Sequence, residues 1–532
     1  TGGTVILSNG TFNLSSSIVV KQNIILQGQG AQTVLQASSD LSGQFIRVNG
    51  PDSRISSLII DDGRTAGQGP QTNGIHIWSG NEIRLANVII ESVHIRRLQS
   101  GINGSDAIST NYTQNIGFQN NNIENVSGSG LIFYKTDNSV MTGNLINNLG
   151  KDGIILSESN GSKAINNSVS NVKYSGIVFG ESNDASASGN LVSMTGNHGI
   201  ISTLGGNRNT FTNNTVKQTG ANGTGGFSHG IAIDGNEGKT PSSGHKIVNN
   251  YIENSYDAGI EVADSVDNVL ISGNTVNGAG LGPHPNNTYG IYFGGGFTPC
   301  HLATISGNKV TRAKENGIEF GSQPGHDLTT NVVVEGNETY NNGSNGIFAN
   351  YAKNFTIKNN SCYNNDQTQT DKDGIRLQDS SYGVVNSNHC YDSQTVKTQN
   401  NGLVFMGKVD NINVYSNNFK GNQFGEIYTD VHATVSNISY DIPHGSSADW
   451  GLIANDGFQK QKIISTLFFA GPPNPGAFPN YTRHPQNTEQ YSWEHDDDIN
   501  SILNMIKNIG INVLKVSYWG HNGETDKWAT TL

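Results

Sequence analysis

Glu261 and Glu319 occupy the same place in a recurring element, at Gly259-Ile-Glu-Val262 and Gly317-Ile-Glu-Phe320. Gly290-Ile-Tyr-Phe293 stands between them. If each element is one strand of a stacked coil, its side chains alternate in and out, and Glu261, Tyr292 and Glu319 share the outward face. Two coils at about 4.8 Å each put the acids roughly 9.6 Å apart. An inverting glycosidase holds its carboxyl pair about 6.5–9.5 Å apart, which leaves room for a water opposite the leaving group. Asp234 lies one coil below Glu261 and two residues further along its strand, close enough for the pair to raise one pKa. The expected roles are Glu319 or Asp234 as general acid and Glu261 as base. Tyr292, Phe348 and Tyr351 offer aromatic faces to sugar rings, and Arg376, Gln378 and His229 offer polar contacts. Outward acids are also ordinary on a solvated sheet, and a stacked row of them can take Ca2+ instead. No other cofactor and no zinc spacing is read from the chain.

An eliminating lyase or an epimerase would need a base and a group to neutralise a uronate. Arg376, Lys408, His229 and His301 are the candidates. The net charge of −12 disfavours a polyanionic substrate unless Ca2+ bridges. The same outward face carries His76, Trp78 and Tyr134 further down.

These residues need a repeating scaffold, and one unit recurs from about residue 50 to residue 420. It reads Gly-Ile-x-apolar, a variable stretch, then apolar-x-(Gly/Asn/Ser)-Asn-x-apolar. The second half falls at Asn87 and Asn121, then at Asn144, Asn167 and Asn190, and onward to Asn417. The shortest spacing, 23 residues, holds three short strands and three turns. That predicts an all-β solenoid, a right-handed parallel β-helix of about 13–15 coils. A stacked turn asparagine can bond the amides above and below it and tolerates left-handed backbone. A leucine-rich solenoid would need a Leu-x-x-Leu-x-Leu pattern, which is absent. Insertions beyond the minimal coil fall at 219–229, 236–246, 277–289, 294–301, 322–330, 364–373 and 393–401. They gather around the strands that carry the acidic row, as the walls of a binding groove would.

Composition agrees. Charged residues are 14% of the 532, and Asn, Ser, Thr and Gly replace them. A coiled coil is excluded, and classical disorder is disfavoured because charge is low and β-branched residues are plentiful. The acidic balance gives nucleic acid no basic patch to bind. No run of about 18 apolar residues spans a membrane. Low charge and high Asn/Ser/Thr point to an extracellular or cell-surface protein.

Residues 2–36, from Gly2-Gly-Thr-Val-Ile-Leu7 through Ile24-Ile-Leu-Gln-Gly-Gln-Gly30 to Thr33-Val-Leu-Gln36, resemble the first coils of the pectate-lyase-like right-handed parallel β-helix superfamily. The Gly-Ile and Gly-Asn coils are similar to its parallel β-helix repeats. The resemblance covers roughly residues 1–440 and implies the fold. It leaves lyase, hydrolase, C5-epimerase, tailspike and non-catalytic surface proteins open, and a homo-oligomer as well. It also implies a capping helix ahead of the first strand, before Thr1. The polygalacturonase-type hydrolase motifs are absent. Tyr440-Asp-Ile-Pro-His444 is similar to the Asp-Pro-His motif of alginate C5-epimerases, in altered order and past the repeat.

The repeat fades after Tyr428. Residues 441–461 read as a linker or terminal coil, and residues 462–532 as a partial β-α-β segment. The latter, ending Ser517-Tyr518-Trp519, is similar to the start of the barrel in endo-α-mannosidase-type glycoside hydrolases. A C-terminal cap on the β-helix is the other reading. Cys362 and Cys390 take the same inward position in consecutive coils, about 4.8 Å apart, within disulfide range. A reduced sulfur stack fits the same spacing.

The chain is thus expected to engage a polysaccharide or other glycan. The first reading is a glycoside hydrolase using the acidic row. A non-catalytic adhesin or envelope scaffold is the alternative, and a lyase or C5-epimerase comes third.

Overall fold

The structure, a computed structural model, describes residues 2–440 except 66–69, 81–82, 99–103, 224–226, 236–240, 283–287, 296–297 and 369–370. Residues 441–532, and with them the expected linker, the barrel-like segment and all of the Tyr440–His444 motif but its tyrosine, lie outside the described residues. Strands pair in parallel with their counterparts one coil away, forming sheets of 18, 17 and 15 strands. The result is an all-β parallel solenoid of about 15 turns. No helix among the described residues is long and apolar enough to cross a membrane.

The period-2 pattern explains the core. In Ile154–Ser157, Ile154 and Leu156 are buried while Ile155 and Ser157 are half-buried. Inward side chains of successive coils stack into one continuous core, with phenylalanines meeting inside it, such as Phe118 and Phe133 at 4.9 Å between ring centres. The glycine of the Gly-Ile element is required by close approach rather than by backbone angle. A Cβ on Gly259 would lie 2.7 Å from the Gly290 carbonyl oxygen and 2.3 Å from Val276 Cγ1. Any larger residue would push neighbouring coils apart.

The repeated asparagine forms a buried ladder. From Asn121 through Asn144, Asn167 and Asn190 to Asn417, each Nδ2 donates to the Oδ1 of the next at 2.8–3.0 Å. The left-handed backbone belongs to the residue before it, as at Asn120 (φ 52°), Gly143 (φ 65°) and Asn166 (φ 52°). Asn87 is not part of the ladder. It sits at a different corner, where its Nδ2 donates to Asp52 Oδ1 at 2.9 Å, and Val93 holds the ladder position in its coil.

Of the two readings for Cys362 and Cys390, a disulfide or a reduced stack, the structure holds the reduced pair. The two are register partners, both buried, and both are free thiols. In-register parallel strands send both Cβ atoms the same way, so these stay near the strand spacing of about 4.8 Å. A disulfide needs Cβ atoms about 3.5–4.5 Å apart.

Candidate active site

Six consecutive strands of the 17-stranded sheet position the site: Ile231–Asp234, Ile260–Ala263, Ile291–Gly295, Ile318–Ser322, Ile347–Asn350 and Ile375–Gln378. Their pairing sets one outward row as Ala232, Glu261, Tyr292, Glu319, Phe348 and Arg376. Glu261 and Glu319 are therefore two rungs apart with Tyr292 between them. The next outward row runs Asp234, Ala263, Gly294, Gly321, Asn350 and Gln378. Its two glycines fall beside Tyr292 and Glu319. A Cβ at Gly294 would meet the Tyr292 hydroxyl at 2.8 Å, so that ring lies over the space a side chain would fill.

A cleft of about 290 Å³ opens here, lined by Tyr289, Asn316, Glu319, Phe348, Arg376 and Gln378 among others. Described parts of the insertions contribute Tyr289 and Lys372 to it. Tyr289 and Tyr292 stack at 5.3 Å between ring centres. Asp234, His229, Glu261 and Tyr292 are not among the lining residues, and neither is Tyr351. Tyr351 leaves the strand at φ 50° and stands at the following corner, beside Asp379.

The two glutamates have different surroundings. Glu319 is buried, and burial pushes its carboxyl up to about 8, opposed by the Asn316 amide and helped by Glu315. At neutral pH it is a protonated acid. Glu261 lies against His229 Nε2 from the coil below. Burial lowers the His229 pKa, but Glu261, Asp257 and Asp234 raise it on balance. The ring's Nδ1 accepts the Ala258 N–H at 3.1 Å, however, and a proton cannot occupy that position too. The ladder therefore holds His229 as the neutral Nε2–H tautomer, donating to the Glu261 carboxylate. His198 repeats the arrangement one coil earlier, its Nδ1 accepting the His229 N–H at 3.4 Å, and burial drops its pKa to about 3. Burial, and after it the charge of Glu319, keeps the Tyr292 phenol protonated.

Arg376 reaches the cleft with its charge already engaged. Its Nη2 donates to Asp373 Oδ2 at 2.6 Å, and Nε donates to the same oxygen at 3.0 Å. Two of the lyase candidates are elsewhere: His301 and Lys408 belong to strands of the 18-stranded sheet. His76, Trp78 and Tyr134 lie toward the N-terminal end of the site sheet, where His76 Nδ1 meets Ser109 Oγ at 2.8 Å and Arg47 covers Trp78. No group of three or more His, Cys, Asp or Glu side chains able to hold a metal ion occurs among the described residues.

Sequence reasoning missed the column immediately before the glycines of these coils: His198, His229, Ala258, Tyr289, Asn316, Asn345 and Asp373. It was visible as a polar or aromatic residue preceding Gly in every one of these Gly-Ile elements but that of Gly259, where Ala258 stands. Only His229 was singled out from it.

The family model of the right-handed beta helix region matches residues 42–216, 106–276 and 283–439. No curated protein sequence matches the chain. Among solved structures, the A-module of an Azotobacter vinelandii mannuronan C-5 epimerase is 16% identical with a TM-score of 0.30, over 83% of this chain and 91% of that one. A Yersinia enterocolitica family 28 exopolygalacturonase is 12% identical with a TM-score of 0.42, over 74% and 73%. A tailspike protein of E. coli bacteriophage HK620, solved with a pentasaccharide, is 12% identical with a TM-score of 0.46, over 82% and 74%. These likenesses are of fold.

Proposed function

The chain belongs to the right-handed β-helix family, and we propose that it is an extracellular or cell-surface glycoside hydrolase that cleaves a glycan lying across the 17-stranded sheet. The observation that carries this reading is the split between two carboxyl groups on one strand face. Glu319 is buried and keeps its proton to about pH 8, while Glu261 is held by the His229 N–H. Two acids whose surroundings separate their protonation states divide the roles of acid and base.

Glu319 gives its proton to the glycosidic oxygen as the C–O bond breaks. Glu261 takes a proton from a water that attacks the anomeric carbon from the opposite side. Turnover leaves Glu319 ionised and Glu261 protonated, and exchange with solvent restores both. Tyr292 supplies the surface on which the sugar at the cleavage point rests. Arg376 is engaged by Asp373, so among the described lining residues Lys372 is the cation left to meet a charged sugar.

A panel of neutral and acidic polysaccharides tests the proposal, with wild type beside Glu261→Gln and Glu319→Gln. New reducing ends without the absorbance of unsaturated uronate, lost in both variants, are expected. Unsaturated uronate that survives both substitutions would make the protein a lyase with its base elsewhere. Binding without any product would make it a scaffold.

A further inference from the structure

Glu319 does not stand alone behind its strand. Asn316 Nδ2 donates to Glu319 Oε2 at 2.7 Å. Asn316 Oδ1 accepts two donors from the next coil, the Asn345 N–H at 3.0 Å and Asn345 Nδ2 at 2.8 Å. Asn345 Oδ1 in turn accepts the Asp373 N–H at 2.9 Å. Asp373 Oδ1 accepts Asn401 Nδ2 at 3.0 Å, and its Oδ2 holds Arg376. Asn316, Asn345 and Asp373 are all buried. This string is separate from the asparagine ladder at the other turn, and it ends on a carboxyl group where the other runs coil to coil.

We propose that the Asn345–Asn316 string is a positioning device that fixes which oxygen of Glu319 carries the catalytic proton. The argument is directional. Both donors of Asn345 point at Asn316 Oδ1, so the Asn316 amide cannot flip, and only its NH2 group can face Glu319. A donor arriving at Oε2 makes that oxygen the carbonyl of the neutral acid. The hydroxyl proton therefore belongs to Oε1. The same N–H bond strengthens once Glu319 has given up its proton, because a charged acceptor binds a donor better than a neutral one. Burial keeps the proton on before reaction, and Asn316 stabilises the carboxylate left after it. Without that amide the acid would hold its proton too tightly to release it.

The role as catalyst rests on the hydrolase reading, but the positioning itself can be measured without any substrate. The intact chain, labelled with ¹³C at glutamate carboxyls, is titrated by NMR, and Glu319→Gln assigns the resonance. The wild-type carboxyl should titrate near 8. Asn316→Leu removes the donor and should move the midpoint up by about half a pH unit or more. Asn345→Ala, which does not touch Glu319 by any bond named above, should move it the same way by freeing Asn316 to turn. Asn316→Ser, a smaller hydroxyl donor, should recover part of the shift and serves if the leucine variant does not fold. Asn160→Ala, in an exposed amide pair on a distant turn, should leave it in place. A Glu319 midpoint unmoved in the Asn316 and Asn345 variants would overturn the inference. Shifted midpoints in a protein that cleaves no glycan would sink the hydrolase reading and leave the positioning intact.

Discussion

His229 donates its Nε2 proton to Glu261 from the coil below, while its Nδ1 is tied to the Ala258 backbone. One ring thus orients the carboxylate and closes a backbone bond between coils.

That double duty makes His229→Gln and His229→Leu informative together. Glutamine keeps an N–H donor for Glu261, and leucine keeps only bulk. The leucine variant should lose about 10²-fold in kcat/KM, the scale on which a misplaced catalytic group costs rate. The glutamine variant should lose less. Steady-state kinetics on the substrate found by the panel reads both, and equal losses would count against an orienting role.

The raised pKa of Glu319 has a consequence for stability with a defined sign. An ordinary glutamate titrates near 4.5, and Glu319 near 8. A group whose folded pKa is raised stabilises the fold most below its unfolded pKa, and that advantage drains away as pH climbs through the folded pKa. Glu319→Gln removes the titration. The variant should therefore melt progressively higher than wild type between pH 4.5 and 8, with the gain levelling above that, on the order of a few kcal/mol. Melting curves across this range read it. A gain independent of pH would mean the carboxyl is not buried in its neutral form.

The buried ladder should be costly to break. Asn167→Ala deprives Asn144 of its acceptor and leaves buried amide groups unmatched, at a cost of about 2–4 kcal/mol. Asn160→Ala, at an exposed residue whose amide partner Asn183 is half-buried, should cost about 0.5 kcal/mol or less. Chemical denaturation of both variants checks the contrast.

Thiol counting should find three free cysteines after denaturation without reductant, and reductant should leave the melting temperature unchanged. A count of one would show that the Cys362–Cys390 pair closes after all.

The sheet that carries the site was legible because two periods coincide. A 23-residue repeat places the strands, and alternation within Gly-Ile-x-apolar places Glu261, Tyr292, Glu319 and Arg376 outward. Alternation holds only while the strand lasts, so Tyr351 was misplaced: its left-handed corner ends the pattern. Asn87 matched the asparagine motif by letter but belongs to another corner, because a short motif does not say which turn it occupies. Cα spacing suggested a disulfide or a reduced stack, and the structure holds the two in-register side chains as free thiols. The raised pKa of Glu319 and the His229 contact to Glu261 could not be read from a repeat at all. They come from the burial of Glu319 and from a ring one coil below Glu261, which arise only when coils stack.

The most direct test of the central claim is the configuration of the first product. Proton NMR of a reaction followed from its first minutes distinguishes the two anomers before they equilibrate. An acid and a base two rungs apart, about 9.6 Å, predict a product inverted at the anomeric carbon. A product that retains the substrate's configuration would require a nucleophile about 5–5.5 Å from the acid, and would contradict the pairing of Glu319 with Glu261.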